Sequence, residues 1–340
     1  MNRLALITAM AGGLIVGAAG CDRSGETSGP TRTARQSAAS SGGTSGGASA
    51  GSKQKKGGSP KAAVGADGWS FARSLGSEGT APGQFREPVG LAVGSEGNVY
   101  VPDTHNKRLQ KLSPSGESLA VWAEGIERPM HIAFGRGGRL LVPVFQKDEI
   151  RIFDGPGAVA SFGGEWLDAP AGVAQGPDGK YYVADFYNHR FHVVSEDGER
   201  LKTIGEKGKK PAQFTYPTDL AVASDGTLWI ADAYAHRIQV FSPRLEHRRT
   251  IGGWGKKEPG KFRVATGIDV GPNGKLYVAD FKNDRVQVLK PDGTPIAVLE
   301  GEQEGEGTLK HPTEVIRAES RLYVTDHGHH QIDVYRRSEK

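Results

Sequence analysis

The chain has 340 residues, with 43 Lys and Arg against 39 Asp and Glu and a single Cys. One Cys excludes an internal disulfide framework and any multi-cysteine zinc site. The formal charge of +4 is unevenly placed. The residues up to Lys61 carry about +6, which leaves about −2 for the rest, so the basic balance is no argument for nucleic-acid binding.

At the start, Asn2-Arg3 precedes an apolar run from Leu4 to Ala19 that ends in Ala18-Ala19-Gly20-Cys21. A spanning helix needs about 20 apolar residues, and small residues closing a shorter run mark residues 1–20 as a signal peptide. Ala18-Ala19-Gly20-Cys21 resembles the lipobox of bacterial lipoproteins. That resemblance implies lipidation of Cys21, which becomes the mature N-terminus, and a membrane attachment in the cell envelope. Asp22 leaves the choice of membrane open, so the expected location is the periplasmic face of either membrane or the cell surface.

Residues 21–65 are mostly Gly, Ser, Ala, Thr and Lys. Such a segment buries too little apolar surface to offset the entropy of ordering it. It reads as a flexible tether with a root-mean-square span of roughly 35 to 40 Å.

From residue 66 to 338 the chain repeats. Val99-Tyr100-Val101, Leu140-Leu141-Val142, Tyr181-Tyr182-Val183, Leu228-Trp229-Ile230, Leu276-Tyr277-Val278 and Leu322-Tyr323-Val324 are aligned strand signals, each followed by a polar turn. In the first copy Pro88 to Val93 leads through a Gly97 turn to this run. Asp103 to Arg108 then turns into Leu109 to Leu112, and a strand near Ser118 to Trp122 follows. Copies of four strands spaced about 40 to 50 residues apart are the mark of a β-propeller, because radial packing buries both faces of each small sheet and leaves only short edges. The expected fold is therefore all-β, with six blades of four antiparallel strands. The last copy lacks an outer strand, while Trp69 to Gly76 resembles one and precedes the first copy. It is expected to complete blade six.

Tyr100-Val101-Pro102-Asp103 with Asn106-Lys107-Arg108, Tyr182-Val183-Ala184-Asp185 with Asn188-His189-Arg190, and Tyr277-Val278-Ala279-Asp280 with Asn283-Asp284-Arg285 resemble the NHL repeat. Blade two departs from it with Val144 in place of Asp, and blade six with His327-Gly328-His329-His330-Gln331. Members of that family include binding modules, sensor domains and amidating lyases, so the resemblance implies a fold and not an activity. In the lyases the zinc histidines directly follow the opening Pro. Here those positions hold Val89, Met130, Ala171, Thr218, Thr266 and Thr313, so that activity is not expected.

Recurring pairs Asp103/Arg108, Asp185/Arg190, Asp232/Arg237 and Asp280/Arg285 read as turn braces, since a catalytic group is needed once and a brace once per blade. His105, His189 and His236 fall in the same turns and read as structural, as do His327, His329 and His330. Phe85, Phe214 and Phe262, with Trp166, read as anchors of the loops that lead into each blade.

Two sets are left for function. The second residue after each opening Pro runs Gly90, His131, Gly172, Asp219, Gly267, Glu314; Ala265 replaces the Pro of blade five. His131, Asp219 and Glu314 would converge on the axis, where the set suits a divalent cation or a small polar ligand. Lys207, Lys209, Lys210, Lys256, Lys257 and Lys261 crowd two neighbouring loops and would form a basic face with Tyr216 and Trp254. The reading is an exported, lipid-anchored binding or scaffolding module with a protein or glycan partner and no nucleic acid. The alternative is a metal-dependent lyase or hydrolase using His131, Asp219 and Glu314.

Overall fold

The computed structural model describes residues 68–122, 126–256, 258–300 and 307–337. The signal-like start, Cys21, the tether to residue 65 and Lys257 lie outside the described residues. Six four-stranded antiparallel sheets make up the fold. In blade one, Ala92–Val93, Val99–Asp103, Arg108–Leu112 and Ser118–Trp122 pair in chain order. Among the described residues no helix is long and apolar enough to cross a membrane.

The core lies between blades. Side chains alternate between the two faces of each strand, so a sheet covered on both sides needs apolar residues facing both ways. Ile238 and Val240 of blade four accordingly pack with Ile268, Leu276 and Val278 of blade five, and the same arrangement repeats around the ring.

Blade six joins Pro312–Ala318, Arg321–Asp326 and Gln331–Arg337 to the early strand Trp69–Leu75. Trp69 pairs with Arg337 and Leu75 with Ile332, with a bulge between Phe71 and Arg73. Trp69 is fully buried and meets Tyr277 of blade five edge-on at 6.4 Å.

Each lead-in loop is pinned by one apolar residue. Phe85, Phe214 and Phe262 are fully buried. Each fills the space beside a glycine that ends the preceding outer strand: a Cβ on Gly76, Gly205 or Gly252 would come within 2.2, 2.5 or 2.4 Å of the ring, and all three glycines have positive φ. Only Gly fits there. In blade three the anchor is Leu167, not Trp166 as the sequence suggested. Trp166 is instead half-buried, edge-on to His192 at 4.9 Å and beneath Arg200.

Candidate functional site: the hub and the Asp-turn face

In blades one, three, four and five the turn after the second strand is built on one carboxylate. Asp103 accepts from Arg108 Nε at 2.7 Å, Asp232 from Arg237 Nε at 2.7 Å and Asp280 from Arg285 Nε at 2.9 Å; Asp185 and Arg190 pair at 3.1 Å. The guanidinium then donates to lead-in carbonyls, as Arg108 does to Thr80, Ala81 and Gln84. A third member escaped the sequence reading. Gln110, Gln239 and Gln287 each donate to the same Asp and to a lead-in carbonyl, tying strand, turn and loop together. In blade three His192 takes that place, with Nε2 2.8 Å from Asp185.

The blades are stapled at their seams by residues in a backbone conformation that the sequence did not signal. Glu87, Arg128, Ala169, Tyr216, Val264 and His311, each directly before the Pro (Ala265 in blade five) that opens a blade, all have φ between 49° and 74°. That is costly for β-branched Val264 and for any residue preceding Pro. It turns their N–H groups toward the previous blade: Tyr216 donates to His189 Nδ1, Val264 to His236 Nδ1, Glu87 to His330 Nδ1, Ala169 to Asp148 and His311 to Asp284. An imidazole accepts through Nδ1 only when neutral. Burial, helped by Lys207 at His189 and by Lys209 at His236, lowers both pKa values and favours that form. His105 contacts Glu87. In blade six, His327 Nδ1 lies by the Pro88 carbonyl and His329 by Asp326, so the three histidines there serve different partners.

At the axis, His131, Asp219 and Glu314 come together, each offering one ligand atom, all within 4.8 Å of one another. The intervening glycines are demanded by backbone approach: a Cβ on Gly267 would lie 2.5 Å from the Thr313 carbonyl, and on Gly90 or Gly172 2.7 Å from the Met130 or Thr218 carbonyl. Each polar side chain thus springs from a strand pressed against its neighbour's glycine. Hydroxyls close three of these seams, Thr218 donating to the Thr266 carbonyl, Thr266 to Pro312 and Thr313 to Pro88.

His131 Nδ1 lies 2.7 Å from Glu314 Oε2, Glu314 Oε1 accepts from Val315 N, and Asp219 accepts from Ile268 N at 2.9 Å. Unlike the turn aspartates, neither hub carboxyl pairs with Lys or Arg among the described residues. Burial, and then Glu314, push Asp219 up to about 8. Burial, with Asp269 acting the same way, raises Glu314 well above the usual carboxylate range, and burial lowers His131. Both shifts favour a neutral pair in which Glu314 donates its proton to His131. Two ligands about 2.4 Å from one ion can be at most about 4.8 Å apart, so the set also fits a divalent cation. The three residues are 3%, 6% and 2% exposed. Thr104, Phe145, Phe186, Ala233, Phe281 and His327, the residues following each turn position, are all buried.

The pieces of the NHL repeat are now all visible: lead-in anchor, glycine-facing inner strand, Asp turn and Arg brace. Four blades match the NHL repeat. The matched residues are 85–112, 167–194, 214–241 and 262–289. The unmatched blades are those without the Asp–Arg brace, blade two with Val144 and Glu149, blade six with Asp326 and Gln331. No curated protein sequence matches the chain. Among solved structures, a Bacteroides thetaiotaomicron protein of unknown function is similar at 16% identity, with 79% of this chain and 76% of that chain covered and a TM-score of 0.65. A gluconolactonase from Xanthomonas campestris gives 15%, 79%, 98% and 0.60, and a virginiamycin B lyase from Staphylococcus aureus 16%, 78%, 85% and 0.57. At these identities the propeller is shared as a fold.

On the Asp-turn face, Lys207 lies near His189 and Lys209 near His236. Lys261 Nζ donates to the Gly252 carbonyl, while Lys210 and Lys256 are exposed. Trp254 is 62% exposed.

Proposed function

We propose that the chain is an exported, lipid-anchored binding module of the cell envelope, with residues 1–20 removed, Cys21 lipidated and residues 21–65 tethering the propeller. What carries the binding reading is the contrast between hub and face. The hub's ligand-capable side chains are at most 6% exposed, whereas Trp254 and the lysines stand in solvent on the Asp-turn face. A substrate needs access to its reacting groups; a structural ion does not. The hub therefore acts as a fastener for six strands. A divalent cation held by His131, Asp219 and Glu314 would supply the positive charge their carboxyls otherwise find in protons. The partner is an envelope protein or glycan, and the propeller's slightly negative balance disfavours nucleic acid.

The convergence of His131, Asp219 and Glu314 favours a second reading, a metal-dependent lyase or hydrolase, and the similar folds include a gluconolactonase and a virginiamycin B lyase. Three measurements on the purified full chain test the readings. Equilibrium dialysis against Ca²⁺ or Zn²⁺ with elemental analysis is expected to give one ion per chain, lost in His131→Ala. Immobilised chain is expected to retain an envelope component that heat-unfolded chain does not. Multiple-turnover lactone hydrolysis or elimination, abolished by Glu314→Gln, would establish the enzyme reading instead.

A further inference from the structure

One sector of the Asp-turn face departs from the repeat without serving it. Two residues after the turn aspartate, blades three and four carry Tyr187 and Tyr234 where other blades carry His105, Gln146, Lys282 and Gly328. Tyr216 is the only aromatic phenol among the six residues that precede the inner strands. The three rings gather around Tyr216, with Tyr234 at 5.4 Å and Tyr187 at 6.2 Å, both edge-on, and all three are half-buried. Burial and the neighbouring phenols push Tyr234 up to about 12, so its hydroxyl stays a neutral hydrogen-bonding group.

Trp254 belongs to the same sector. It pairs with the anchor Phe262 as Lys207 pairs with Phe214, so it holds in blade five the place of Lys207 in blade four. Lys207 acts on His189 at its own seam. By the repeat, Trp254 therefore stands at the next seam, by His236. Leu119, Val159 and Leu201, the other large exposed apolar residues described, sit on outer strands at the rim. Around His236 gather Lys209, Arg263 and Lys282, and Arg263 in turn acts on Lys282. None of these three, nor Lys207, forms an ion pair among the described residues. Cations left without internal partners beside an exposed indole call for a ligand with negative charge and an apolar flat face.

We propose that this sector binds an acidic glycan, a uronate-bearing polysaccharide, with a sugar ring stacked on Trp254, its hydroxyls on the tyrosine edges, and carboxylates on Lys209, Arg263 and Lys282. This names the partner class of the binding module and rests on that reading. A sugar fits better than single-stranded nucleic acid because the tyrosine rings are packed on one another and on Phe186 and His189, whereas base recognition uses a run of open ring faces.

The test is a fluorescence titration of the purified full chain with oligogalacturonate, a neutral oligosaccharide of equal length, and a single-stranded RNA. Trp254→Ala is an exposed replacement that leaves the core intact, and Lys209→Glu with Arg263→Glu reverses the charge. Oligogalacturonate is expected to bind, with affinity falling about tenfold or more in each variant and also falling with added salt. Equal affinity for the neutral sugar, tighter binding of RNA, or unchanged affinity in both variants overturns the proposal. Retention of an envelope component without oligogalacturonate binding overturns it while leaving the binding module standing. Loss of both overturns both.

Discussion

Asp280→Ala measures how much the ring depends on a single brace. The Asp280 carboxylate accepts from Arg263 N at 2.7 Å, Asn283 Nδ2 at 2.8 Å, Arg285 Nε at 2.9 Å and Gln287 Nε2 at 3.1 Å. Both Asp280 and Arg285 are 0% exposed. Removing the acid leaves a buried guanidinium with the lead-in carbonyls of Glu258 and Lys261 and the edge of Glu300. Breaking a buried pair from one side costs about 3 to 5 kcal/mol. For a domain of this size each kcal/mol moves the melting temperature by about 2 to 4 °C, so a fall of about 6 to 20 °C is expected in scanning calorimetry. Removing both partners in Asp280→Ala/Arg285→Met leaves no orphan charge and is expected to cost less than the sum of the single changes. A shift below about 1 kcal/mol for Asp280→Ala, or strict additivity in the double variant, would refute the brace.

A chain starting at Ser77 lacks Trp69–Leu75 and exposes the edge of Gln331–Arg337; it is expected to melt lower or to associate through that edge, and calorimetry with size-exclusion chromatography would show a stable monomer if this is wrong. The histidine staples set an acid limb. Because folding lowers the pKa of His189 and His236, their contribution is complete above the unfolded value of about 6.5 and is lost as pH falls below it. His236→Asp, which copies the acceptor at Asp148 and Asp284, should move that limb to lower pH, and an unchanged acid profile would count against the staple. The hub sets the opposite limb: Asp219, raised to about 8, contributes stability that is full below its unfolded value of about 3.9 and is lost as pH rises toward and through 8. Denaturant melts of cation-free chain should show this loss, and Asp219→Asn should remove it.

The sheet order was readable because a propeller writes each strand six times, and Trp69–Leu75 resembled the outer strands Arg200–Ile204 and His247–Gly252 closely enough to stand out. The Asp–Arg brace was readable for the same reason. Gln110, Gln239 and Gln287 were not, because a glutamine on a strand reads as a solvent-facing polar position until the fold closes a pocket around it. The positive-φ residues before the inner strands carried no Gly or Asn signal; their conformation is imposed by the seam. Trp166 was misread because it stands one residue before the anchor position, which the repeat's own register gives to Leu167. His131, Asp219 and Glu314 were picked out by their alternation with glycine, but the reason for the glycines, strand backbones within van der Waals reach, is purely tertiary.

Mechanical behaviour follows from the way the circle is fastened. Ser70 bonds to the carbonyl of Arg336 across 266 positions of chain, and Trp69 faces Arg337 at the same end of the sheet. Directly opposite residues of antiparallel strands are only about 5 Å apart, so tension applied between the two extremities of the domain would peel that pair open rung by rung. A shear geometry would load all its rungs at once. Pulling on the leading segment would therefore be felt first at Trp69, making this clasp a weak point under load while it remains well packed at rest.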